Sequence, residues 1–164
     1  MTRIHRFADL EPLSRAAARA LLEDMQSRLA VQDRYTLALA GGGTPQRLYE
    51  LLATAAEGPL PWEQLHLFWG DERYVPPTDP RSNHRLVQRT LLSDAPCPAA
   101  HVHPIPTDRT PPAAAAAAYE HTLRRFFADR GATFDTVLLG LGADAHTASL
   151  FPETPALGQS DDWV

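Results

Sequence analysis

Apolar residues in the first part of the chain recur every four positions, at Leu13, Ala17, Leu21, Met25 and Leu29. That spacing puts them on one stripe and predicts an amphipathic helix over residues 13–29, with Pro12 in its first turn. The pattern then changes. Tyr35-Thr36-Leu37-Ala38-Leu39-Ala40 is a short apolar run, read as a buried strand, and it stops at Gly41-Gly42-Gly43. Thr44-Pro45 reads as an N-cap followed by proline at the first helical position. The helix it opens runs to about residue 56, with Leu48, Leu51 and Leu52 on one face. The unit repeats. Leu65-His66-Leu67-Phe68-Trp69 is a second buried strand, ending at Gly70-Asp71-Glu72-Arg73. After a proline-rich loop, Ser82 or Asn83 can cap a helix through Leu92. A short strand is expected over residues 101–105 and a helix over residues 113–130, where an alanine run favours helix. A last buried strand over residues 134–139 ends at Gly140-Leu141-Gly142.

Apolar strands alternating with helices imply right-handed crossovers. The expected fold is therefore α/β, with a doubly wound, mostly parallel sheet flanked by helices. In such sheets ligands sit at the carboxyl ends of the strands. Three of the strands here end in loops rich in Gly, Asp or His, so a site is expected where those loops meet.

Composition narrows the chemistry. The chain has 164 residues, enough for one domain with a core, and its 44% hydrophobic and 21% charged content is that of a globular protein. A net charge of −5 gives no general attraction to nucleic acid or to an anionic membrane. No apolar run reaches membrane-spanning length and the N-terminus has no signal core, so the cytoplasm is the expected compartment. All fifteen basic residues are arginine. The absence of lysine excludes a Walker-type phosphate loop, Schiff-base catalysis and pyridoxal phosphate attachment. Cys97 is the one cysteine, so no internal disulfide and no thiolate zinc cluster is expected.

Three motifs carry chemistry. In Gly41-Gly42-Gly43-Thr44-Pro45, consecutive glycines let the backbone approach a ligand, and free N–H groups at a helix start, with the Thr44 hydroxyl, form an anion site. A plain tight turn is the simpler reading, but three glycines exceed what a turn requires. Gly140-Leu141-Gly142-Ala143-Asp144-Ala145 fits the G-x-G-x-x-A spacing of dinucleotide sites. It follows a late strand, however, and Pro152 and Pro155 interrupt the helix it would have to open. His146 follows that glycine-rich exit, and an imidazole with an ordinary pKa of about 6.5 suits proton transfer near neutrality. Asp71 and Arg73, at another strand end, suit hydroxyl and phosphate binding. His101, His103 and Cys97 lack a third strong ligand and a clear geometry, so no metal is expected.

Four segments together resemble the 6-phosphogluconolactonase family. They are residues 39–45, Trp69-Gly70-Asp71-Glu72-Arg73, Ser82-Asn83, and the run from Gly140 through His146-Thr147-Ala148-Ser149-Leu150-Phe151-Pro152. The resemblance has the family's order and spacing and spans nearly the whole chain. It implies the Rossmann-like fold shared with sugar-phosphate isomerases and deaminases. It also implies a 6-phosphoglucono-δ-lactone substrate in the oxidative pentose phosphate pathway and no cofactor. A monomer whose partner is that small molecule, with no nucleic acid and no membrane, is expected. By position, His146 would be the general base or acid with Asp144 beside it in the catalytic set. Gly42, Gly43, Thr44 and Arg73 would hold the phosphate. Asp71, Asp144 and Asn83 would shape the site or contact the sugar, and Thr147 completes the binding set. Water activated by His146 would open the lactone directly, since no G-x-S-x-G nucleophile motif is present.

Two departures from the family pattern stand out. Family members usually have glycine before the histidine, where this chain has Ala145. If that position needs positive φ, alanine costs on the order of 1 kcal/mol. Family members also run about half as long again, so the chain is expected to be a single lactonase domain lacking a C-terminal third that includes a basic phosphate ligand. The competing readings are an amino-sugar-phosphate isomerase or deaminase, which would carry Glu where Phe151 stands, and a non-catalytic sugar-phosphate-binding fragment.

Overall fold

The computed structural model describes residues 2–108, 111–129, 131 and 133–164. Four helices and four strands alternate: α1 Leu10–Leu29, β1 Tyr35–Leu39, α2 Gly43–Ala53, β2 Leu65–Trp69, α3 Asn83–Thr90, β3 Val102–His103, α4 Pro112–Phe126 and β4 Thr136–Val137. The strands form one parallel sheet in the order β3-β2-β1-β4. The expected α/β architecture is thus the observed one.

The two central strands are buried because both of their faces are covered. All five residues of β1 are buried, and β2 departs from this only at His66. They pair along their full length, Tyr35 with Leu65 through Leu39 with Trp69. Burying a large apolar side chain contributes about 1.5–3 kcal/mol, so the core gathered around Tyr35, Leu37, Leu39, Leu65, Leu67 and Trp69 dominates the fold's stability. The helical stripe predicted for α1 supplies Leu21 and Met25 to that core.

The boundaries differ from the sequence reading for identifiable reasons. α1 begins three residues before Leu13, because exposed Leu10 lies outside the apolar stripe that marked the start. α2 begins at Gly43 with Gly42 as its cap, so Thr44 is a helical residue and not the N-cap. α2 also ends early. The N–H of Ala56 bonds the carbonyl of Leu51 and that of Ala55 bonds Leu52, with Ala55 in the left-handed region at φ 52°, a Schellman closure made without glycine. Ser82 caps α3, its hydroxyl accepting the Arg85 N–H at 3.1 Å. The expected strand over residues 101–105 shrinks to Val102–His103 after a 3-10 turn. The helix expected to reach residue 130 ends at Phe126, and Arg130 itself lies outside the described residues.

β4 is shorter than its apolar run, and a polar cluster anchors its start. The Asp135 carboxylate accepts the Thr36 N–H and hydroxyl, both at 2.8 Å, while the Asp135 N–H donates to the Thr36 hydroxyl at 2.9 Å. Beyond Leu138, whose N–H bonds Ala38, the chain leaves the sheet, and Leu139 and Leu141 are exposed. No helix among the described residues is long and apolar enough to cross a membrane.

Under the β2–β3 edge lies a histidine cluster. His66 and His103 approach to 3.3 Å between ring nitrogens, His101 stacks 4.0 Å from His66, and Phe126 packs on both His66 and His103. Among the described residues no three His, Cys, Asp or Glu side chains are placed to hold a metal ion. Burial, and then the neighbouring His101, push both His66 and His103 down to about 4. The folded state therefore resists protonating them, while the unfolded chain takes up protons from about pH 6.5. Their contribution is complete above pH 6.5 and is lost as pH falls toward 4. Denaturant midpoints measured across that window should drop, and His66→Phe should flatten the decline.

Candidate active site

The carboxyl ends of β1, β2 and β4 open onto one cleft of about 260 Å3. The first two ends are fixed by tyrosines. The Tyr49 hydroxyl, from α2, accepts the Ala40 N–H at 3.0 Å and donates to the Ala40 carbonyl at 2.8 Å. The Tyr119 hydroxyl, from α4, does the same for Trp69, with both bonds at 3.0 Å. Each satisfies a buried N–H and C=O where the ladder runs out. The glycine loop starts directly after Ala40, and the loop carrying Asp71 and Arg73 starts after Trp69.

Two helices begin at this cleft, and their N-termini differ. At α3, Glu72 fills the end of the helix. Its carboxylate accepts the Asn83 and His84 N–H groups at 2.7 Å, the Arg73 N–H at 2.6 Å and the Ser82 hydroxyl at 3.1 Å. At α2, the N–H groups of Gly42, Gly43 and Thr44 donate to nothing among the described residues. Gly42 has φ 104°, a conformation that turns the loop into the helix and that L side chains rarely adopt. The free donors and the positive end of the helix dipole thus remain at α2. Arg73 faces the same cleft, and its guanidinium has no partner among the described residues. Neighbouring arginines are committed elsewhere: Arg47 to Glu11 and Glu50, Arg81 to Asp79, and Arg85 to the Thr78 carbonyl.

The segment after β4, which lines the same cleft, folds tightly. The Gly142 N–H bonds the His146 carbonyl at 2.8 Å and the Ala145 N–H bonds the Gly142 carbonyl at 3.0 Å. Within this loop His146 Nδ1 lies 2.5 Å from Asp144 Oδ1, and the Phe151 ring packs 4.4 Å from the imidazole. The hydrogen bond from His146 holds the Asp144 carboxyl below its usual range. An ionised carboxylate only accepts, so Nδ1 carries the proton and Nε2 is left as the basic nitrogen.

Gly42, Gly43, Thr44, Asp71, Arg73, Asn83 and His146 therefore surround one cleft, and Asp144 stands behind His146. Thr147 does not join them: its hydroxyl is sealed away from solvent with no hydrogen-bond partner. Asn83 acts partly through Asp71, donating to its backbone carbonyl at 3.1 Å. Its side chain also fills the space beside Gly41, where an added Cβ would fall 1.8 Å from Oδ1. Ser149 donates to Asp71 at 2.8 Å and ties the His146 segment to the β2 loop. Nothing in the sequence pattern points directly to the contacts that Glu72 and Ser149 make. The one hint for Glu72 was that α3 has Arg85, not Glu or Gln, three residues after its cap, so the capping acid had to come from elsewhere.

The chain matches, over residues 8–164, the family model described as glucosamine-6-phosphate isomerases/6-phosphogluconolactonase. It is 45% identical over 144 residues to a 6-phosphogluconolactonase of Nostoc sp., covering 86% of this chain and 59% of that protein. It is 48% identical over 136 residues to one from Synechocystis sp., covering 81% and 55%. The crystal structure of Thermotoga maritima 6-phosphogluconolactonase superposes with a TM-score of 0.85 at 33% identity, over 99% of this chain and 69% of that one. The chain thus spans less than two thirds of the length of the first two relatives.

Ala145 has φ 67°, the conformation that glycine adopts freely and alanine does not. Holding alanine there costs on the order of 1 kcal/mol. Ala145→Gly should raise stability by up to about 0.5 kcal/mol, because the roughly 0.4–1 kcal/mol of extra unfolded-state entropy that glycine brings offsets most of the relieved strain. A thermal melt in which the glycine variant unfolds at a lower temperature would contradict this strain.

Proposed function

The chain belongs to the family of glucosamine-6-phosphate isomerases and 6-phosphogluconolactonases, and we propose that its cleft serves the hydrolysis of 6-phosphoglucono-δ-lactone to 6-phosphogluconate, the lactone-opening step of the oxidative pentose phosphate pathway. The observation that carries this reading is the content of the cleft. N–H groups and an arginine guanidinium that have no partner among the described residues line the same cleft as a histidine oriented by a carboxylate.

The phosphate goes to the α2 end, where Gly42, Gly43 and Thr44 offer backbone donors and Arg73 adds charge-assisted bonds. Asp71 and Asn83, which line the same cleft, take the sugar hydroxyls in this reading. Nε2 of His146 takes a proton from water as the water oxygen attacks the C1 carbonyl. The tetrahedral intermediate then collapses, the C1–ring-oxygen bond breaks, and the imidazolium returns its proton to the departing ring oxygen. One water is consumed and a carboxylic acid and a hydroxyl are formed. Asp144 holds the tautomer and stabilises the transient imidazolium. Phe151 favours the lactonase over the isomerase side of the family. An apolar ring rests on the imidazole where an isomerase would place a second carboxylate to assist ring opening.

Removing the base tests the proton chemistry. His146→Asn should lower kcat roughly 10²–10⁴-fold, measured after subtracting spontaneous lactone hydrolysis, with the circular dichroism spectrum unchanged. Near-normal turnover would remove His146 from the mechanism. The anion half is tested separately. Gly42→Val should raise KM by about tenfold or more, because valine cannot hold φ 104° and its branches would occupy the cleft in front of the free N–H groups. An unchanged KM would place the phosphate elsewhere.

A further inference from the structure

The bare Cα of Gly142 lies against the Asp144–His146 hydrogen bond. A methyl group built on it would fall 2.2 Å from both Nδ1 and Cε1 of His146 and 2.8 Å from Asp144 Oδ1. Those atoms include both ends of the 2.5 Å contact that fixes the imidazole. Carbon does not approach nitrogen or oxygen so closely, so a side chain at position 142 and the Asp144–His146 pair exclude one another. The backbone has little freedom to yield. Gly142 is tied to His146 through its N–H and to Ala145 through its carbonyl. Phe151 bounds the imidazole further, at 4.4 Å.

Conformational freedom is not what requires glycine here. The positive-φ glycines are Gly42, Gly58 and Gly131, and Gly142 is not among them. Alanine at 142 therefore meets no positive-φ penalty, and its effect falls on the pair above it. The G-x-G spacing that resembled a nucleotide loop thus has a different physical use at its second glycine.

We propose that Gly142 is a positioning residue for His146: its missing side chain leaves the slot in which the imidazole is held against Asp144. The consequence for turnover rests on the lactonase reading above, but the slot does not. With the imidazole displaced, water would lose its aligned base while the phosphate half of the cleft stayed intact.

The test is Gly142→Ala, alone and combined with Asp144→Asn. Displacing a base by about 1 Å can cost on the order of 10²-fold, so kcat should fall by about that factor while KM changes little. Asp144→Asn should cost a comparable factor, and the double variant should be no worse than the more impaired single one, because both remove the same interaction. A second readout is independent of activity. In 15N NMR of the His146 ring, the wild-type protein should show Nδ1 protonated, and Gly142→Ala should show mixed tautomers. Wild-type kcat in Gly142→Ala, additive losses in the double variant, or an unchanged Nδ1 signal would each overturn the proposal. If the wild-type protein does not hydrolyse the lactone at all, the functional reading falls, and the NMR comparison still decides the role of Gly142.

Discussion

Everything functional in this molecule hangs from the points where β1 and β2 stop. A parallel ladder that ends inside a protein leaves buried N–H and C=O groups, and each such group costs about 1–3 kcal/mol if left unpaired. Here a single tyrosine hydroxyl repairs each end, Tyr49 at Ala40 and Tyr119 at Trp69. Because the repair comes from α2 and α4, the strand ends are fixed relative to the helices that flank the sheet. The glycine loop and the Asp71–Arg73 loop each begin one residue later. Their starting directions are therefore set by the core and not by the loops themselves.

From those fixed points the site divides into two kinds of chemistry by the way N–H groups are used. Glu72 consumes the donors at the start of α3, which locks the β2 loop onto that helix and leaves it unable to bind an anion. Among the described residues the equivalent donors at α2 have no partner, and Arg73, which lines the same cleft, makes no ion pair. The third loop supplies His146, the group proposed to handle the proton. Its shape is costly, with Ala145, Ala148 and Glu153 all at positive φ. Strain of this kind persists only where the surroundings over-determine it, and here the Gly142–His146 and Ser149–Asp71 hydrogen bonds do so.

The pattern of residues was enough to read the alternation of strands and helices, because a fully buried parallel strand must be apolar throughout and a flanking helix must carry a stripe. It also located the glycine loop, Asp71, Arg73 and His146, since residues at strand ends share one edge of the sheet whatever the details of packing; Asn83, at the start of α3, was reached only through the family resemblance. The positive φ at Ala145 was legible as a condition, from a glycine expected at that position.

What the sequence could not carry were interactions between residues far apart in the chain. The Glu72 cap spans eleven residues and the Tyr119 clamp spans fifty, and neither has a periodic signature. The sealed hydroxyl of Thr147 and the slot at Gly142 are likewise matters of distance in space. Local composition determines which backbone conformations are affordable and which faces turn inward. Only the folded packing decides which donors remain unspent, and in this protein the unspent donors at α2 and the imidazole oriented by Asp144 make the candidate site.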